Sequence, residues 1–367
     1  MVKQLVLWGP PIIPSGPSDS AYESDVASWV KQAADVGITK MIPGSSDAVL
    51  VKEGHKKNIS VHPYVNYTAF PSYGMRPRSW GWSLEFLRIN PEDPAAREII
   101  DNHRAIYDAP PGGNVGEEKL EPFANDNPHF WSLNRDKSLT LAPGERRCMS
   151  LAFPEVRTNQ IQKFIDALDD SGGGDGIQVE LVLGNEDDDR IATYGYEDAV
   201  TEAFTQATGK NAFDLPNGDI DWLKFRANYV TEFLKELREA VKSRYPQALF
   251  TSTMIAGDKE DYIKVLQDWP EWIEQGIVDE LYVWWRTDSD IERLERQVKY
   301  VSSVVNGRCP FIAELSCYHP GSFQTPEKMI TGARTAIDNG ADGIGIYRSH
   351  GVAQLNYWPV LEEMSKL

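Results

Sequence analysis

Two glutamates stand inside apolar segments, where a carboxylate is costly. Glu180 lies in Gly-Ile-Gln-Val-Glu-Leu (176–181), and Glu314 lies in Phe-Ile-Ala-Glu-Leu-Ser (311–316). A carboxylate within a buried strand has to be ion-paired, hydrogen-bonded or used in chemistry. Two carboxylates at one site can serve as an acid and as a base or nucleophile, the arrangement that breaks a glycosidic bond. For each of them, an ion pair with a buried Arg or Lys is the structural alternative.

A third glutamate competes for the acid role. Glu186 comes shortly after the first of these segments, in Gly184-Asn185-Glu186. It opens an acidic run that extends to Asp189. Because Glu186 lies just after a predicted strand, it is an alternative candidate for the proton donor. The same run is also typical of a solvated loop or of a loose Ca²⁺ site.

The elements that position these residues alternate along the chain. Short apolar segments are separated by helical stretches, as in consecutive βα units around a parallel sheet. The predicted strands are 4–8, 40–43, 59–66, 176–183, 248–255, 280–285, 311–316 and 343–347. Eight strands in this alternation predict a (β/α)8 TIM barrel. A doubly wound open sheet is the alternative, and the lack of a GxGxxG motif after the first strand disfavours it.

A long insertion between the third and fourth strands interrupts the rhythm. Residues 67–150 carry Pro, Gly, Trp and Arg in irregular order. A loop of this length inside a compact domain is usually functional. We therefore predict one catalytic barrel over residues 1–367, with 67–150 as an elaborated loop region after the third strand.

Side-chain alternation predicts which residues face the barrel interior. In the fourth strand Ile177, Val179 and Leu181 should face the helices, so that Glu180 points inward. The interior set predicted in this way is His62, Tyr64, Asn66, Glu180, Tyr282, Trp284 and Glu314. Aromatic rings stack on sugar faces and polar tips bind hydroxyl groups, so this set suits a carbohydrate site.

Loop residues after the last strands extend the predicted site. The complete set of predicted substrate contacts is His62, Tyr64, Asn66, Tyr282, Trp284, Arg286, His319, Arg348 and His350. Arg286 and Arg348 could bind a carboxylate or sulfate on the sugar, because Arg forms bidentate pairs with planar anions. Pairing with Glu180 or Glu314 is the alternative role for these two arginines.

Composition excludes several classes of partner. The chain has 37 basic and 55 acidic residues, a formal net charge of −18, which disfavours nucleic acid and anionic membranes. No apolar run approaches the ~18 residues of a membrane span. The three cysteines lack metal-binding spacing and no HExxH motif is present, so we expect neither a metal nor a cofactor.

Compartment and assembly are open at this stage. Met1-Val2-Lys3 leads directly into the first predicted strand, without a signal peptide. We expect a cytoplasmic protein, or a periplasmic or secreted one if a leader has been removed. The sequence does not determine the oligomeric state.

Several phrases of the chain resemble a known family. They are VHPYVNY (61–67), SLAFPEVRTNQIQKFIDAL (150–168), DGIQVEL (175–181) and NGADGIGIYRSHG (339–351). They are similar to the glycosyl-hydrolase-like (β/α)8 barrel family related to glycoside hydrolase family 10, and the similarity extends over most of the chain. The resemblance implies a barrel that acts on poly- or oligosaccharides and has an acidic residue at position 180. The family usually has Asp there, whereas this chain has Glu180.

The interpretation that follows is a glycoside hydrolase. Glu180 is the predicted proton donor, Glu314 the nucleophile or base, and Glu186 the alternative donor; carboxyl groups of such a pair lie ~5–10 Å apart. A carbohydrate-binding barrel without catalysis is the first alternative. A sugar isomerase or aldolase is the second, and it would need a metal cluster or a Schiff-base lysine, for which Lys40 is a weak candidate.

Overall fold

The structure is a computed structural model. It describes residues 2–43, 47–66, 123, 126–137, 149–181, 194–255, 261–285, 289–318 and 321–367, with the backbone alone for Asn66 and Pro128.

A parallel sheet forms the centre of the fold. Its strands are β1 (Gln4–Trp8), β2 (Lys40–Ile42), β3 (Ser60–Val61), β4 (Tyr64–Asn66), β5 (Gly176–Glu180), β6 (Leu249–Ile255), β7 (Glu280–Trp285), β8 (Phe311–Ser316) and β9 (Gly343–Tyr347). Their order in the sheet is β3-β2-β1-β9-β8-β7-β6-β5-β4. The two ends of this order, β3 and β4, are separated in the chain only by His62 and Pro63. The sheet therefore closes on one segment of the chain, which confirms the predicted (β/α)8 barrel.

The third predicted strand is divided in two at Pro63. Proline has no backbone N–H, so it cannot donate to a ladder. Hydrogen bonds continue on both sides of the break, because the N–H of His62 donates to the Met41 carbonyl (2.9 Å) and the N–H of Gln178 donates to the Pro63 carbonyl (2.9 Å). The segment thus joins β2 on one side to β5 on the other.

Helices pack around the sheet. They are α1 (Tyr22–Asp35), α2 (Ala48–His55), α3 (Pro154–Asp170), α4 (Asp198–Thr208), α5 (Ile220–Arg244), α6 (Asp261–Lys264), α7 (Trp269–Glu274), α8 (Ile291–Val305), α9 (Pro326–Asp338), α10 (Ser349–Gln354) and α11 (Trp358–Met364). Short 3₁₀ helices span Pro128–Phe130 and Ala212–Asp214. The helices α6 and α7 are separate, because Leu266 between them has φ 61°, in the left-handed region that ends a helix.

The strands divide the core into two parts, as alternation predicts. One face packs on the helices and contributes to a large apolar cluster that includes Val179, Leu281 and Leu315. The other face lines the barrel, where Val6, Trp8, Ile42, Tyr282 and Ile312 form a separate cluster. Interior and exterior residues are therefore assigned by packing as well as by sequence spacing.

A satellite cluster lies beside the barrel, on α4 and the start of α5. It contains Tyr196, Val200, Phe204, Ala212 and Trp222. The Lys137 ammonium group donates to the Tyr196 carbonyl at 2.6 Å, so part of the insertion is joined to this cluster. The expectation of a single domain over 1–367 stays a prediction, because most of 67–150 lies outside the described residues.

None of the helices in the described part of the chain has the length and apolar character that a membrane crossing needs.

Candidate active site

Glu180 is the last residue of β5 and faces the barrel interior. Its neighbours in register are Asn66 of β4 and Thr253 of β6. The side chain is buried, with 4% of its surface exposed, and the Tyr64 hydroxyl donates a short hydrogen bond to its Oε2. Glu180 is thus held at the carboxyl end of its strand, the end at which barrel enzymes carry out their chemistry.

Glu314 lies on β8 and is fully buried. Its register neighbours are Trp284 of β7 and Gly345 of β9. A Cβ atom built at Gly345 would lie 3.3 Å from the Glu314 Cγ and 3.5 Å from the Trp8 Nε1. The glycine therefore leaves room for the Glu314 side chain, because an added Cβ would be tight against the Glu314 Cγ and in ordinary contact with the Trp8 indole.

The two carboxylates share the interior face of the barrel. They come from β5 and β8, with β6 and β7 between them in the sheet. On the interior face of β5, Gln178 precedes Glu180. The Gln178 amide donates to the Thr253 hydroxyl at 2.8 Å. The sequence thus predicted correctly that both glutamates point into the barrel.

Trp8, the last residue of β1, lies at the centre of this site. Its ring centroid is 5.5 Å from that of Tyr64, 5.7 Å from that of Tyr282 and 6.3 Å from that of Tyr347. Sequence analysis missed Trp8. Alternation in β1, which places Leu5 and Leu7 on the helix side, was the signal that could have found it.

Tyr282 forms the floor of the site. The ring is fully buried against Trp8, and burial raises the pKa of its hydroxyl well above the ordinary value, with a further contribution from the charges of Glu280 and Glu314. The phenol therefore stays neutral. Trp284, two residues further along β7, is 9% exposed and lies nearer the carboxyl end.

The end of β9 supplies a cationic and aromatic group. The guanidinium carbon of Arg348 lies 5.5 Å from the ring centroid of Tyr318 and 5.6 Å from that of Tyr347. A guanidinium over aromatic faces is attracted by their quadrupoles, which fixes its orientation. Tyr318 and Tyr347 were not predicted as site residues, although Tyr347 ends the eighth predicted strand on its interior face.

His350 lies beside this group, at the start of α10. Its ring is 6.5 Å from that of Tyr318. Burial, and then the charge of Arg348, lowers the pKa of His350 to about 4, so the imidazole is neutral at pH 7. A neutral imidazole at this position can donate or accept a hydrogen bond with a sugar hydroxyl.

His62 lies at the other end of the barrel. Its ring packs against Gly176, where an added Cβ would be 2.8 Å from the His62 Nδ1, and its Nε2 is 2.9 Å from the Ser60 hydroxyl. Gly176 begins β5, four residues before Glu180. Residues on one face of a strand are separated by about 6–7 Å along its length, so sharing a face with Tyr64 does not bring His62 to the same layer. We therefore leave His62 out of the proposed substrate contacts.

Lys40 belongs to that amino-terminal layer as well. Its ammonium group is buried and lies 2.5 Å from the Glu280 carboxylate, which also accepts a hydrogen bond from the Gln4 amide (2.7 Å). Burial and the charge of Lys40 lower the pKa of His62 well below its ordinary value. Lys40 is thus engaged in an ion pair away from the layer of Glu180 and Glu314.

Three predicted site residues, Glu186, Arg286 and His319, lie outside the described residues. Asn66 is placed by its backbone, which pairs with Glu180.

In the described part of the chain, no three His, Cys, Asp or Glu side chains are grouped so that they could hold a metal ion.

Fold and site together define a glycoside-hydrolase-like (β/α)8 barrel, with acidic and aromatic residues on its interior face. The chain belongs to the family described as glycosyl hydrolase-like 10, whose profile matches residues 114–312, more than half of its length. This finding confirms the family that the sequence phrases indicated. No curated protein sequence matches the chain.

Solved structures share the fold at low sequence identity. The glycoside hydrolase domain of PgaB (BpsB) from Bordetella bronchiseptica has a TM-score of 0.65 at 12% identity, covering 99% of this chain and 98% of that one. The β-galactosidase from Bacillus circulans sp. alkalophilus has a TM-score of 0.57 at 11% identity. That match covers 98% of this chain and 55% of the β-galactosidase chain, so the protein spans about half the length of that enzyme.

Proposed function

We propose that the protein is a glycoside hydrolase that cleaves a glycosidic bond in a poly- or oligosaccharide. The observation that carries the proposal is the placement of Glu180 and Glu314, two buried glutamates on the interior face of one barrel. Membership of a glycosyl-hydrolase-like family and the fold of the PgaB glycoside hydrolase domain support the same class.

The proposed mechanism divides the work between the two glutamates. Glu180 gives its proton to the leaving glycosidic oxygen, and Glu314 acts from the other side as nucleophile or as the base that activates water. Glu186 stays the alternative donor. Aromatic residues around the pair exclude water and strengthen the electrostatic interactions at the reacting centre.

Residues at the carboxyl end of the barrel are the proposed sugar contacts. Trp284 and Tyr347 offer ring faces, and Arg348 and His350 offer polar groups for hydroxyl or charged substituents. Tyr64 and Asn66 flank Glu180, and Tyr282 and Trp8 close the floor below. Arg286 and His319 remain proposed contacts by their sequence positions after β7 and β8.

The experiment is a hydrolysis screen on aryl glycosides and polysaccharides. Wild-type protein is expected to release reducing ends or aryl alcohol from at least one substrate class. The Glu180→Gln/Glu314→Gln double variant, folded as judged by circular dichroism, is the control and should release none. Binding of a polysaccharide without any hydrolysis by the wild type would contradict the proposal in favour of a carbohydrate-binding barrel.

A further inference from the structure

We propose that Tyr64 is a positioning residue for Glu180, which it holds in its working orientation through one hydroxyl–carboxylate hydrogen bond. This inference rests on the proposed function. It assigns to Tyr64 a role in controlling the carboxylate, beyond the sugar contact expected from the sequence.

The parallel pairing of β4 and β5 brings the two side chains together. In this register Tyr64 pairs with Gln178, and Asn66 pairs with Glu180. Tyr64 is thus one interior position behind Glu180 on the neighbouring strand. A tyrosine side chain is long enough to reach the next interior position, and the Tyr64 hydroxyl donates to the Glu180 Oε2.

Tyr64 is held in place by a contact of its ring and by the backbone that precedes it. The ring meets Trp8 edge to face, with a centroid distance of 5.5 Å and an interplanar angle of 73°. The backbone just before it is fixed, because the N–H of Gln178 donates to the Pro63 carbonyl at 2.9 Å. A donor supported by packing and by the sheet orients its acceptor more strictly than a mobile side chain would.

A hydroxyl donor has two effects on a catalytic carboxylate. It fixes the position of one carboxylate oxygen and so restricts rotation of the whole group. It also stabilises the ionised form, and this is the form that Glu180 takes once its proton has passed to the leaving oxygen. The other titratable or charged side chains described at this end of the barrel are Tyr282, Glu314, Tyr318, Tyr347, Arg348 and His350, and none of them lies on β4 or β5.

The test is Tyr64→Phe, which removes the hydroxyl and keeps the ring against Trp8. We expect kcat to fall about 10- to 100-fold, as when a positioning contact is lost, while KM changes less than about twofold.

Tyr245→Phe is the matched control. Tyr245 also donates a short hydrogen bond to a carboxylate, that of Asp169, but it follows α5 on the outside of the barrel. Its substitution should leave kcat and KM unchanged. A wild-type kcat in Tyr64→Phe, or a loss of kcat/KM that comes entirely from a raised KM, would overturn the inference.

The outcome is separable from that of the proposed function. If Glu180→Gln and Glu314→Gln both keep wild-type turnover, the paired-carboxylate function itself fails. If those variants lose turnover and Tyr64→Phe does not, only the positioning role fails. Thermal unfolding of all variants shows whether a loss comes from misfolding.

Discussion

The two ends of the barrel interior both carry buried acidic residues, and these residues have different neighbours. At the amino end, Glu280 pairs with Lys40 at 2.5 Å and accepts a hydrogen bond from Gln4. At the carboxyl end, Glu180 accepts from a tyrosine hydroxyl, and Glu314 lies beside Trp284 and the Trp8 indole.

The difference suggests a division of the barrel interior into a structural end and a proposed catalytic end. A buried charge next to an opposite charge is neutralised, and removing one partner leaves the other uncompensated. Two carboxylates at the carboxyl end lie where barrel enzymes carry out their chemistry, and there they could exchange protons with a substrate. We therefore propose a structural role for Glu280 and, in line with the proposed function, a chemical role for Glu180 and Glu314.

Breaking the ion pair at the amino end should have the largest effect on stability. Lys40→Met leaves Glu280 buried without its cation, and we expect the free energy of unfolding to fall by about 3–5 kcal/mol. Urea denaturation followed by fluorescence measures this change.

The double variant Lys40→Met/Glu280→Met is the control for that prediction. Replacing both charges by apolar side chains should recover a large part of the lost stability, since an ion pair and a packed apolar pair are often similar in energy. A double variant as unstable as the single one would show that the Lys40 stem, and not its charge, stabilises the barrel.

Substitution of Arg348 tests whether the carboxyl end of the barrel recognises an anionic group on the sugar. If its guanidinium binds an anionic group on the sugar, Arg348→Ala should lower kcat/KM on an anionic substrate about 10- to 100-fold, as for a charged hydrogen bond, and leave a matched neutral substrate nearly unchanged. Kinetics on the two substrates decides the point.

The control for Arg348 is Arg308→Ala, which removes an arginine that pairs with Glu274 on the outer surface. It should affect neither substrate. Equal losses on both substrates in Arg348→Ala would instead indicate a structural ion pair.

The smallest predicted effect is a dependence of stability on pH at the amino end. The pKa of His62 is lowered in the folded protein, so the unfolded chain binds a proton more readily. Stability should therefore fall as pH drops below about 6.5, the ordinary pKa of His, by up to about 1.4 kcal/mol per pH unit. His62→Gln should flatten this slope in denaturation measured from pH 7 to pH 5. An unchanged slope would show that other groups cause the acid sensitivity.

The sequence predicted the fold and the interior glutamates well, because alternation and apolar runs are local signals. It predicted Glu180, Tyr64 and Glu314 on the interior face, and the structure places them there. It did not predict the helix Asp198–Thr208 or the break at Pro63.

The sequence predicted the face of a strand on which a residue lies better than the layer of the barrel interior to which it belongs or the residues that it contacts there. His62 and Tyr64 share a face but belong to different layers, and only strand register reveals which layer meets Glu180. Tyr318 lies beyond the end of β8, and its contact with Arg348 depends on long-range packing. Such contacts leave no periodic pattern in the chain.

The most direct test compares Glu314→Gln with Glu280→Gln, the same substitution at two buried positions of one barrel. We predict that Glu314→Gln lowers kcat by orders of magnitude and leaves the unfolding midpoint within a few degrees of the wild type. We predict that Glu280→Gln lowers the free energy of unfolding by about 3–5 kcal/mol, because Lys40 loses its counter-charge, while the folded fraction keeps its kcat. Unchanged turnover in Glu314→Gln, or a loss of kcat in folded Glu280→Gln as large as that in Glu314→Gln, would contradict the division of roles between the two ends.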